Sequence, residues 1–155
     1  MTYCNIHVRI IAAAIGILMA LVALFSFGFI FHNVNSACFG VVSGLYAGCT
    51  LWIHVLYKNG ALKLWRLSSF KRLMLVGCFG QLAGVCGFVT YLSLAVVLAV
   101  PIGNVYGENY WLAMVWSWFT WKWGFQLFYW SRVYKRELEY PALWKDTKNA
   151  EELKY

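Results

Sequence analysis

The chain has 155 residues, 62% hydrophobic and 12% charged, with a formal net charge of +7. A soluble globular domain is about a quarter charged, so this composition excludes an ordinary soluble enzyme. The cations are gathered at particular loops, which makes them a topology signal and argues against nucleic-acid binding.

Runs of about 20 apolar residues read as membrane-spanning helices. Four such runs follow in chain order: 10–31, 37–57, 73–100 and 110–130. The sequence therefore predicts an all-α membrane protein with a cytosolic N-terminus (1–9), a four-helix transmembrane domain (10–130) and a cytosolic tail (131–155). The first run is too long for a signal-peptide core and is read as a retained helix, with Arg9 as its cytosolic flank.

The second run carries Gly40, Gly44 and Gly48, two G-x-x-x-G steps that suit close helix contact. Counted back from His54 at about 100° per residue, Thr50, Ala47, Ser43, Gly40 and Ser36 fall on one stripe. Lipid is a poor neighbour for that stripe; a bundle interior or a narrow wet path suits it better. The loop that follows holds Lys58, Lys63, Arg66, Lys71 and Arg72 with no acid, interleaved with Leu62, Leu64, Trp65, Leu67 and Phe70. It suits an anionic cytosolic lipid surface, so membrane lipids are expected partners.

The third run repeats Gly77, Gly80, Gly84 and Gly87 along one face. The glycine faces suggest a homo-oligomer. Between the third and fourth runs the only charge is Glu108. Basic loops on one side and an acidic or uncharged pair on the other place both termini in the cytosol.

The fourth run is crowded with aromatics. Trp116, Trp123 and Trp130 recur every seven residues and form one seam. Lys122 stands within the run, where an uncompensated lysine costs roughly 2.5–3.5 kcal/mol. Trp118 and Tyr129 are candidate π-partners, and Gln126 a hydrogen-bond partner. The run ends in Trp130-Ser131-Arg132-Val133-Tyr134. Farther on, Tyr140-Pro141-Ala142-Leu143 fits a tyrosine-based endosomal sorting signal. The five cysteines form no C-x-x-C, which argues against a thiol oxidoreductase or a zinc site.

The four-helix layout, "LWIHVLY", "YGENYW", "WSWFTWKW" and "WSRVY" together resemble the haem-responsive-gene family of haem transporters. The resemblance spans nearly the whole chain and is closest from Tyr106 to Tyr134. It implies a small permease, not an enzyme, with haem as transported substrate and no permanently bound cofactor. Members work at the plasma membrane or in endosomes and lysosomes. The resemblance places His54 at the family's translocation histidine. It places Trp130, Arg132 and Tyr134 on the aromatic-basic motif after the fourth helix, with Val133 replacing that motif's lysine.

Haem has an apolar plane, two carboxylates and an iron with axial positions. Aromatic rings suit the plane, and Lys122 or Arg132 suits the propionates. His32 or Tyr106 is the candidate iron ligand on the outer side, and His54 or Tyr134 on the inner side. The runner-up reading is a four-helix membrane adaptor without cargo. A fixed-haem electron carrier needs paired histidines at one depth, and His54 alone lies well inside a predicted helix. A proton-coupled drug exporter needs a buried acid, and no Asp or Glu lies in the four runs.

Overall fold

A computed structural model of the chain describes residues 5–103 and 106–139. The predicted sorting signal at 140–143 and most of the basic tail lie outside these residues. Four long helices are present: α1 (Ile6–Phe25), α2 (Val34–Lys58), α3 (Leu67–Val97) and α4 (Tyr110–Glu139). No strand occurs among the described residues. α1 runs on through one π-helical turn, Ser26–Ile30, and a 3-10 turn, Ala61–Leu64, joins α2 to α3.

Three helical spans, Ile6–Ile30, Val34–Lys58 and Leu67–Val97, are long and apolar enough to cross a membrane. α4 has the length but carries six tryptophans, three tyrosines and several charges, which lower its apolar character. The outward faces expose large aliphatic and aromatic side chains such as Leu18, Leu45, Phe79 and Leu82, each at least 60% open. In water such a surface would be an association liability; against lipid it is matched to its solvent.

Two helices extend beyond the apolar runs. α3 begins at Leu67, so Lys71 and Arg72 lie on the helix rather than in a loop. α4 continues nine residues past 130 into a polar stretch supported by a Lys135–Glu139 ion pair at 3.1 Å.

Small residues set the packing. α2 contacts α1 on one side and α4 on the other, and α3 packs chiefly on α4. On α3, a Cβ at Gly77 would lie 2.7 Å from the Phe128 backbone nitrogen, and Gly84 lies against the Trp121 backbone. Gly124 returns the fit, 2.8 Å from the Gln81 nitrogen for an added Cβ. On α2, Gly40 faces Ala23 and Gly44 faces Ala20 of α1. Gly40, Gly44, Gly77, Gly84 and Gly124 are thus occupied by contacts within one chain, whereas Gly48 is open.

The end away from the basic loop is tied by polar bonds. Asn33 caps α2 by accepting from the Ser36 N–H at 3.0 Å, and its own amide donates to the Asn109 carbonyl at 3.0 Å. Glu108 accepts from the Val34 N–H at 3.1 Å and from Asn35 at 2.6 Å. A carboxylate at a helix N-terminus satisfies an orphan donor and complements the helix dipole. The "YGENYW" segment therefore fastens the α3–α4 loop to the α1–α2 turn. Replacing Glu108 with Ala is expected to destabilise the bundle by about 1 kcal/mol, read as a lower melting temperature in detergent; an unchanged melting temperature would contradict this role.

Candidate functional site

The site forms where the basic end of α2 meets α4. His54 and Tyr134 are 2% and 1% exposed, and His54 Nδ1 lies 2.7 Å from the Tyr134 hydroxyl. This distance is a hydrogen bond between imidazole and phenol, whose donor is set by the histidine tautomer. Tyr57 lies one turn past His54 and stacks on Tyr134, rings 4.1 Å apart and 12° from parallel. Trp130 stands one turn before Tyr134 and meets His54 edge-on at 5.5 Å. Its indole N–H donates to Gln126 Oε1 at 2.7 Å, which fixes the ring.

Arg9 of α1 closes the group. Its guanidinium sits 3.8 Å from the Trp130 ring centroid, a cation–π contact. It is also the charged neighbour of both His54 and Tyr134. Its Nε is buried without a hydrogen-bond partner. The result is a box of three aromatic rings, one imidazole and one guanidinium, drawn from α1, α2 and α4.

Of the residues expected from sequence, His54, Trp130 and Tyr134 come together here. Arg132 does not: it is exposed, because two residues along a helix is a turn of about 200° away from Tyr134. Arg9, read from sequence only as a topology flank, occupies the place beside the phenol. Lys122 is half-buried on α4 and lies 4.1 Å from the Trp123 ring and 6.0 Å from that of Phe119. The expected partners differ: Trp118 is 44% exposed, and Tyr129 packs on Phe125 and Trp130.

His32 and Tyr106 lie at the opposite end. His32 is exposed in a left-handed turn at φ 54°, and Tyr106 is exposed with its ring against Phe31 at 5.3 Å. Twenty residues of α2 separate Val34 from His54, about 30 Å of helix. The predicted outer and inner ligands thus occupy the two ends of the bundle.

Between them runs the tryptophan seam. Trp116 and Trp123 are buried and Trp130 is half-buried. The Trp123 indole lies over Gly16 and packs with Ala13 and Ala47. The α2 stripe of Ser36, Gly40, Ser43, Ala47, Thr50 and His54 is buried along its length, so it faces the bundle interior. Thr50 donates to its own helix at Tyr46 O, 2.8 Å away, and Thr120 of α4 donates across to Phe39 O at 3.2 Å. Among the described residues no group of three or more His, Cys, Asp or Glu is placed to hold a bare metal ion.

Sequence reasoning missed Arg9, Tyr57 and Gly16. Tyr57 had a local signal, its place three residues after His54 on one helix face. Gly16 and Arg9 had none, since their partners are more than 100 residues away along the chain.

No solved structure matches the chain. The chain is 29% identical over 116 residues to the protein named heme transporter hrg-5 of Caenorhabditis elegans, covering 74% of this chain and 72% of that one. The model of the family described as "Haem-transporter, endosomal/lysosomal, haem-responsive gene" matches residues 70–123, which cover most of α3 and about the first half of α4. The resemblance read from the sequence motifs is thereby shown: the chain is similar to the haem-responsive-gene haem transporters.

Proposed function

We propose that this chain carries haem across a membrane into the cytosol, from the extracellular side or from the lumen of an endosome or lysosome. All four helices cross the bilayer, and both termini lie in the cytosol. The observation that carries the reading is the His54–Tyr134 pair. Two side chains able to ligate haem iron lie 2.7 Å apart at the basic end of an apolar bundle, in a chain similar to haem transporters. The orientation follows from charge: Arg9, Lys58, Lys63, Arg66 and Arg132 gather at this end, while Glu108 is at the other.

In this reading His32 and Tyr106 meet the iron on the outer side, Lys122 offers a cation to a carboxylate within the span, and the seam of indoles offers contact to the porphyrin plane. His54 and Tyr134 receive the iron on the inner side. In the cargo-free chain His54 Nδ1 holds the Tyr134 hydroxyl, so a ligand taken by Nδ1 or by the phenol oxygen has to open this bond, while Nε2 can ligate with it intact. That bond is a latch, worth about 0.5–1.5 kcal/mol net, weak enough for cargo to open. Passage requires several weak sites in series rather than one tight trap. The chain acts as a transporter without a resident cofactor, and any homo-oligomer forms through its lipid-facing surfaces.

The test is growth of a haem-deficient cell expressing this chain on limiting haem. The reading predicts growth and accumulation of a fluorescent haem analogue. A well-expressed chain that supports neither would leave only a membrane adaptor.

A further inference from the structure

On the cytosol-facing side of the latch lies a cavity of about 480 Å³. Its size falls within the range of roughly 300–1,000 Å³ typical of small-molecule sites. Tyr57, Lys58, Lys63 and Tyr134 line it, with apolar walls from Ile6 and Leu138. Resting on the haem-transport reading above, we infer that this cavity is a docking site for the carboxylates of a porphyrin leaving the bundle, with Lys58 and Lys63 as their partners.

The local fold sets both lysines on one wall. Lys58 ends α2. Gly60 then adopts φ 70°, a left-handed turn that favours glycine. The turn leads into the 3-10 segment Ala61–Leu64, whose Leu62 is buried with Ile53, Phe70 and Tyr134. Leu62 thus anchors the segment beneath the helix ends, and Lys63 follows it onto the cavity wall. Glu137 also lines the cavity. Among the described residues, two cations against one acid leave a positive lining.

Tyr134 belongs to both places. It lines the cavity, and its hydroxyl holds His54. A porphyrin in the cavity therefore sits against Tyr134, next to the latch. Lysine fits this position because it is a flexible point charge that holds an exposed carboxylate without bidentate geometry. Exposed pairs of this kind are weak, as release into the cytosol requires. A lipid headgroup offers anionic chemistry too, so the two sources have to be separated.

The full chain is placed in nanodiscs of phosphatidylcholine, and in others containing phosphatidylserine. Iron-free protoporphyrin and its dimethyl ester are titrated against tryptophan fluorescence, with empty discs as the partition reference. The double variant Lys58→Gln/Lys63→Gln is expected to bind the dicarboxylate about tenfold more weakly in both discs. Its affinity for the ester should match that of the unmodified chain, and Arg72→Gln should change neither. Unchanged dicarboxylate binding by the double variant overturns the inference. So does an equal loss for the ester, which marks a structural role, or a loss confined to phosphatidylserine discs, which marks a lipid site. If haem uptake by the unmodified chain persists in cells alongside any of these, only the docking site falls. If the unmodified chain neither binds porphyrin nor supports uptake, the transport reading falls with it.

Discussion

His54→Ala is expected to lower haem uptake by about tenfold or more, the factor that roughly 1.4 kcal/mol of lost cargo stabilisation produces, with membrane abundance unchanged. The imidazole is buried, and among the described residues the Tyr134 hydroxyl holds it by a hydrogen bond. Alanine removes the ligand and takes from the buried Tyr134 hydroxyl its imidazole partner. Tyr134→Phe keeps the stack on Tyr57 and the contact with Trp130 while removing the hydroxyl. It separates ligand chemistry from packing, and uptake should fall with it too. The arginines make the sharper comparison. Arg9→Gln removes the guanidinium that lies on Trp130 inside the box; Arg132→Gln changes an exposed position. The loss of uptake at Arg9 should exceed that at Arg132 severalfold. Equal losses at both would mean that the guanidinium on Trp130 contributes no more to transport than the exposed Arg132 does.

Leucine at Gly77 or Gly84 is the most damaging change expected for the fold. At both positions the facing atoms belong to the α4 backbone, which cannot rotate away as a side chain would. Overpacking in a well-packed interior costs about 1–3 kcal/mol, and separating two backbones reaches the upper end. Both variants should lose abundance and melt at lower temperature in detergent. Gly48→Leu is the control, because an added Cβ there meets nothing within 4 Å. Stability at Gly84→Leu equal to that of Gly48→Leu would mean that α3 and α4 do not pack through this face.

The helices were legible because apolar runs report span directly, and the fit of α2 and α3 was legible as spaced glycines. Their partners were not. Gly77 and Gly84 meet α4, and Gly40 and Gly44 meet α1, so these faces serve the monomer. The end of α4 was missed because a hydropathy run stops at the first charges, whereas helix continues through Lys135 and Glu139 with their ion pair. His54 stood out as an imidazole on a stripe of small residues, and the stripe is indeed buried. Arg132 was joined to Tyr134 by sequence proximity, but on a helix two residues apart face different ways. Arg9 could not be joined to the site at all, because Trp130 lies 121 positions further on and only the tertiary fold unites them.

The most direct measurement is transport by the purified chain in liposomes that enclose a haem-binding reporter apoprotein. With haem added outside and the pH varied across the membrane, the account predicts time-dependent filling of the reporter by the unmodified chain. Filling should slow strongly in the His54→Ala liposomes at equal protein content. Liposomes carrying the chain that fill no faster than protein-free ones, at every pH gradient tried, would contradict it.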